Sequence, residues 1–275
     1  MTAIIGFTCH DSILMMADTE ESTSYGKSTC DKLYHFASPS GYVLTGGAGD
    51  AHLIDSANQA LYQFMQAGMP GTPKDAQLSL KLVLDGLNIF AQKFFNETTR
   101  VYKKAGLDPL HEFALLIAVN IMKHATYLFK LYLNKVLWIE PPKHQVIGCG
   151  DTVIHPMLSN FQFDVQKEAA LFCGLRMMYI AKNTVPDVGG KTDAVALLNN
   201  GDMIWYGSLN TARIEALVLD YDKFMGGFVD TSISNVAREP LGIDKHCEDF
   251  FQHDVPAKLK EYRDRYKDLL DHPIL

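Results

Sequence analysis

Three residues near the start of this 275-residue chain have the types and order needed for acyl transfer: Thr2, Asp18 and Lys32. An initiator Met is normally trimmed when a small residue follows it, so a mature chain beginning at Thr2 is expected. That threonine carries both a hydroxyl and a free α-amine. An α-amine has an ordinary pKa of about 8 and can take the hydroxyl proton near neutral pH. A threonine paired with its own amine is an activated nucleophile. A carboxylate beside it can orient a lysine, whose ammonium stabilises the alkoxide and lowers the pKa of the hydroxyl. Gly46 and Gly47 add a fourth component. Glycine allows close backbone approach, and backbone N–H groups at such a place can hold an oxyanion.

The elements that must position these groups are legible from pattern. Ala3–Phe7 and Ile13–Ala17 are short apolar runs separated by the turn signal His10-Asp11, which reads as a hairpin. The hairpin brings Asp18, at the end of its second strand, back beside Thr2. Glu20 to Ser28 is polar and reads as a loop. Thr29–Phe36 and Gly41–Thr45 read as a second strand pair, with the run breaking at Gly46-Gly47-Ala48-Gly49 before a helix that opens at Asp50.

In this order and spacing the residues resemble proteasome β-subunits and the bacterial proteasome-like proteases. The resemblance lies in Thr2, Ala17-Asp18, Asp31-Lys32-Leu33 and Thr45-Gly46-Gly47-Ala48-Gly49-Asp50, and extends more loosely to about residue 220. It implies an α+β fold, the four-layer αββα sandwich of N-terminal-nucleophile hydrolases. It implies Thr2 as nucleophile, Asp18 and Lys32 as the activating pair, and the Gly46 N–H as oxyanion donor. Gly148-Cys149-Gly150 is similar to the family's Gly-Ser-Gly segment near the terminal amine, with Cys149 in place of the serine. Asp187-Val188-Gly189-Gly190 resembles its Asp…Gly-Gly segment, with Asp187 as the counterpart acid. By the same analogy Cys30, Leu44 and Ala48 line the substrate pocket, which suggests an apolar site, while Glu21 beside them suggests a basic substrate.

Composition bounds the alternatives. Twenty-five Lys and Arg against 32 Asp and Glu leave a net charge of −7, which argues against a nucleic-acid binder. Five cysteines without a C-x-x-C pair fit reduced thiols in a cytoplasmic protein. The ten histidines form no ligand motif, so no metal or cofactor is expected. No apolar run reaches 18 residues, and neither a membrane helix nor a signal peptide is expected.

Further along, Leu53, Ile54, Ala57, Leu61 and Phe64 recur at helical spacing up to the breaker Gly68–Gly71. A second helix is expected from Thr72-Pro73 to about Lys104. Strands are expected at 113–119, 126–133 and 135–139, with Val146-Ile147 completing the second sheet. Helices follow at 151–158 and from Asp164, the latter burying Ala169, Phe172, Leu175 and Tyr179. A final hairpin joins 193–198 to 203–206. Residues 1–225 then form the hydrolase domain, and 226–275 a C-terminal extension with a charged helix over Lys258–Leu270. The reading is a threonine peptidase or amidase acting on peptide or protein substrates, in a homo-oligomeric ring or related assembly, with an activator or ATPase as a possible partner. The alternatives are an inactive structural or binding subunit and a small-molecule amide hydrolase.

Overall fold

The opening apolar runs form β1 (Ala3–Thr8) and β2 (Ser12–Asp18) in the computed structural model, which describes residues 2–23, 26–38, 41–67, 76–104, 113–121, 125–159, 166–236 and 255–271. Every residue of both strands is buried. A sheet covered on both faces needs apolar residues on both faces, hence runs without alternation. Within the two strands, Ile4 pairs with Ala17 and Thr8 with Ile13, so the register returns Asp18 to the level of the chain start.

Around this hairpin the first sheet has the order β10-β1-β2-β11-β12, where β10 is His144–Gly148, β11 Thr192–Leu198 and β12 Met203–Tyr206. The second sheet has the order β5-β6-β7-β8-β9: Leu33–Ser38, Gly41–Gly49, Phe113–Ile121, Ala125–Tyr132 and Lys135–Ile139. All pairings are antiparallel. The sheets face each other through Ile4, Ile13, Met15, Leu44, Leu116, Leu128 and Val195. Helices α1 (Ala51–Gln66) and α2 (Ala76–Lys104) cover the second sheet through Leu53, Leu61, Val83, Leu87 and Phe90. Helices α3 (Asp151–Leu158) and α4 (Lys167–Thr184) cover the first, on β10 and on β1–β2 respectively. The fold is therefore α+β, a four-layer αββα sandwich. Asp50 caps α1 by accepting from Leu53 N–H at 3.0 Å, which sets where the helix departs from the end of β6.

Several elements differ from the sequence expectation. Glu20–Ser28 is not a plain loop: β3 (Glu20–Thr23) and β4 (Gly26–Thr29) pair as a two-stranded ribbon. Its backbone ladder needs no apolar face, and β4 is exposed throughout, so periodicity carried no sign of it. Thr29 accordingly belongs to β4, and β5 begins only at Leu33. Val146-Ile147 lies in the first sheet, not the second. β10 pairs with β1, Ile4 opposite Ile147, after the chain crosses between the sheets at 140–143. The buried side of α4 is Ala170, Leu171, Gly174, Leu175, Met177, Met178 and Ala181. Ala169 is exposed, and Phe172 and Tyr179 are half-buried. The helix meets β2 through Gly174, where a Cβ would overlap the Met16 side chain, and that contact sets its rotation. The expected helix starts at 72–75 and 164 lie outside the described residues.

The chain divides into two compact units, Met1–Tyr206 and Gly207–Leu275. In the second, α5 (Ser208–Val236) runs unbroken through Gly226-Gly227, and α6 (Val255–Asp271) packs on it with Tyr221 edge-on to Tyr262.

Candidate active site

Asp18 is fully buried and binds four donors. Its Oδ1 accepts from the Thr2 hydroxyl at 2.6 Å and from Ala3 N–H at 2.8 Å. Lys32 Nζ donates to both carboxylate oxygens at 3.0 Å, and Gly189 N–H donates to Oδ2 at 3.2 Å. Lys32 also donates to the Glu20 carbonyl. The ammonium is 8 % exposed and the threonine 5 %, so the ion pair is shielded from water. Taking both charges out of water costs several kcal/mol per ion unless hydrogen bonds replace the lost hydration. Here the carboxylate is saturated with donors.

The geometry changes one expected role. Lys32 reaches the nucleophile region through Asp18: hydroxyl and ammonium share the same carboxylate oxygen. A carboxylate that accepts the hydroxyl proton's hydrogen bond at 2.6 Å is itself positioned as a base, alongside the α-amine that a mature chain would carry. Met1 lies outside the described residues.

Thr2 is held from behind by the Gly148-Cys149-Gly150 segment. Cys149 Sγ donates to the Thr2 carbonyl at 3.2 Å, and Gly150 N–H approaches the same oxygen at 3.5 Å. Burial pushes the Cys149 thiol above its ordinary value, so the sulfur keeps the proton it donates. Gly148 has φ +92°, and a Cβ there would overlap the Thr2 carbonyl. Only glycine fits both conditions.

The residues gather at a cavity of about 310 Å³. Thr2 and Lys32 form its floor, and Glu21, Cys30, Asp31, Tyr34 and Asp55 stand around it. The glycine stretch differs from the expectation. Gly46 and Gly47 do not break β6, which stays paired with β7 from Gly41 to Gly49. They are glycines because neighbours press on both faces. A Cβ at 46 would lie 3.1 Å from Ile4 and Leu33, and one at 47 would overlap Ile54 of α1. Gly46 is opposite Leu33, the residue after Lys32, so its backbone runs beside the lysine. Gly47 and Gly49 line the cavity; Gly46 does not.

Leu44 and Ala48 are not pocket residues. Strand alternation puts both on the β6 face turned into the core between the sheets, where they are 0 % and 5 % exposed. Asp187 makes no hydrogen bond to Thr2, Asp18 or Lys32. Its segment contributes the Gly189 N–H instead, a backbone donor that the Gly189-Gly190 pair signalled and the neighbouring acid obscured. Tyr34 and Asp55 had no sequence signal as cavity residues, and Asp31 entered only as the neighbour of Lys32 in Asp31-Lys32-Leu33; Asp55 lies one helical turn inside α1. Among the described residues, no group of three or more His, Cys, Asp or Glu could hold a metal ion, and no helix is long and apolar enough to cross a membrane.

No protein-family model matches the chain, and no curated protein matches it. Solved structures do. The chain is similar to Anbu from Pseudomonas aeruginosa, described as a helical assembly, with a TM-score of 0.67 and 16% identity, covering 83% of this chain and 96% of that one. Anbu (ancestral beta-subunit) from Yersinia bercovieri gives 0.62 at 15% identity, covering 83% and 96%. Anbu from Hyphomicrobium sp. strain MC1 gives 0.63 at 11% identity, covering 82% and 97%. These neighbours correct the resemblance read from the first fifty residues. Anbu proteins are proteasome-like in fold but form a family distinct from proteasome β-subunits and bacterial proteasome-like proteases. At such identities the likeness shows the fold.

Proposed function

We propose that the chain is an N-terminal-nucleophile amide hydrolase, with Thr2 as nucleophile once Met1 is removed and peptides as the substrate class. The observation that carries this reading is the buried Thr2–Asp18–Lys32 chain on the floor of an open cavity. A charge pair placed out of water and joined to the Thr2 hydroxyl is an arrangement that packing alone does not require. In the reaction, Thr2 Oγ attacks the scissile carbonyl as its proton passes to the α-amine or to Asp18. The Lys32 ammonium holds the Asp18 carboxylate in place and stabilises the developing alkoxide region. The N–H of Gly47, at the cavity wall, takes the oxyanion role that the resemblance gave to Gly46. The leaving amine takes the proton back, and water then hydrolyses the threonyl ester.

Self-assembly belongs to the same proposal. One neighbour of the same fold is described as a helical assembly, and we extend homo-oligomerisation, without a stated symmetry, to this chain. The competing reading is a structural subunit without hydrolase activity. Turnover of a fluorogenic peptide library by protein purified without an N-terminal tag, and confirmed by intact mass to begin at Thr2, decides between them. Hydrolysis that disappears in Thr2→Ala supports the proposal. Hydrolysis that persists in Thr2→Ala, or none in a chain verified to begin at Thr2, refutes it.

A further inference from the structure

Three carboxylates stand around the cavity above Thr2. Glu21 comes from β3, Asp31 from the segment before β5, and Asp55 from α1. Among the described side chains lining the cavity, Lys32 is the single cation, and both Asp18 oxygens already hold it. Asp55 Oδ1 accepts from the neutral Tyr34 hydroxyl at 3.3 Å. These side chains make the wall acidic, and the lysine ammonium is compensated from behind.

Neighbouring groups register that field. Burial, and then the Asp55 charge, push the Tyr34 hydroxyl up to about 12. Asp193 on β11 is held above its ordinary value by burial and then by the charge of Asp31. The apolar alternative read from the sequence keeps Cys30 but loses Leu44 and Ala48, which face the inter-sheet core. What remains apolar in the wall is Ala51 and Ile54, a short patch suited to the methylene stem of a long side chain whose charged end lies among carboxylates.

We propose that this cavity selects substrates with a lysine- or arginine-type cationic side chain next to the bond that Thr2 attacks, with Asp31 and Asp55 as specificity-determining residues and Glu21 as an auxiliary carboxylate. Like charges around one cavity repel each other, and a bound cation relieves that repulsion while matching the sign of the wall. The proposal rests on the hydrolase reading for its position, but its test can be made without turnover.

The probes are two blocked tripeptide amides, identical except for arginine or the uncharged, unbranched norleucine at the last residue. Binding is measured calorimetrically on Thr2→Ala protein, so that no catalysis is needed. The arginine peptide is expected to bind about tenfold tighter at low salt, with the preference shrinking as salt screens the exposed carboxylates. Asp55→Asn and Asp31→Asn, both at exposed positions, should each reduce the preference severalfold, and the pair of changes should abolish it. Equal affinity for the two peptides, a preference for norleucine, or a preference unchanged by both substitutions overturns the proposal. A cation preference in binding together with no turnover by verified Thr2-initiated protein leaves the selectivity standing and refutes only the hydrolase reading.

Discussion

Replacing Lys32 with Met should destabilise the Met1–Tyr206 unit more than any surface lysine change. The ammonium is 8 % exposed and its partner Asp18 is 0 % exposed. Removing the lysine leaves a buried carboxylate with its remaining donors: the Thr2 hydroxyl and the backbone N–H groups of Ala3 and Gly189. Breaking a buried pair from one side costs about 3–5 kcal/mol, because the other charge stays behind without compensation. For a unit of this size that corresponds to a fall in Tm of about 10 °C. Adding Asp18→Asn removes the stranded charge. The amide oxygen can still accept from Thr2 and Ala3, but its NH2 then faces the Gly189 donor, so recovery is partial, about 1–2 kcal/mol. The assay is urea denaturation of wild type, both single variants and the double variant. A Lys32→Met protein as stable as wild type, or a double variant less stable than Lys32→Met alone, would falsify the assignment of Asp18 and Lys32 as a buried, mutually dependent ion pair.

Three further expectations follow from the same geometry. Gly148→Ala forces a Cβ into the Thr2 carbonyl and should lower kcat by about 10²-fold or more, as a misplaced reacting group does, with a smaller effect on KM; steady-state kinetics on a hydrolysed peptide separate the two. Cys149→Ser keeps a donor to the Thr2 carbonyl and should retain activity within a few fold, whereas Cys149→Val removes the donor and should lower both activity and Tm, by about 1 kcal/mol in stability; paired kinetics and thermal melts read this out. His144 is held down at about 4, first by burial and then by His155. The unfolded chain therefore takes up that proton first, so stability is complete above the ordinary value of 6.5 and is lost as pH falls towards 4. After solvent screening the loss is about 1–2 kcal/mol, visible in urea titrations at several pH values and reduced in His144→Gln.

How far the sequence could be read depended on how each group earns its place. The closeness of Thr2 and Asp18 was legible because a two-strand hairpin returns its end to its beginning, and β1–β2 is a run of apolar residues with a turn signal between; Lys32 was joined to them by the resemblance alone. The αββα layering came from the resemblance carried by the first fifty residues, and the helical spacing of Leu53–Phe64 and the strand-sized apolar runs agreed with it. What escaped has no side-chain signature. The β3–β4 ribbon is held by backbone pairing of exposed polar residues. The Gly189 donor is a peptide N–H, and the saturation of Asp18 depends on it. The sheet to which β10 belongs is decided by the crossing at 140–143, which periodicity does not encode. Leu44 and Ala48 were assigned to a pocket by analogy, although their places on alternate positions of β6 with Gly46 put them on its core-facing side. The acid wall is spread over three elements, so Asp31 and Asp55 become neighbours of Glu21 only after folding.

The central claim is that a free amine and the hydroxyl of one threonine act together at the cavity floor. A peptide carrying an α′,β′-epoxyketone tests it most directly, because closing its ring requires both groups on the same residue. Incubated with untagged protein and analysed by intact mass and fragmentation, it should add one inhibitor mass at Thr2, in a chain lacking Met1, and nothing in Thr2→Ala. A chain that begins at Thr2 yet forms no adduct, or a native chain that still begins at Met1, would contradict the account.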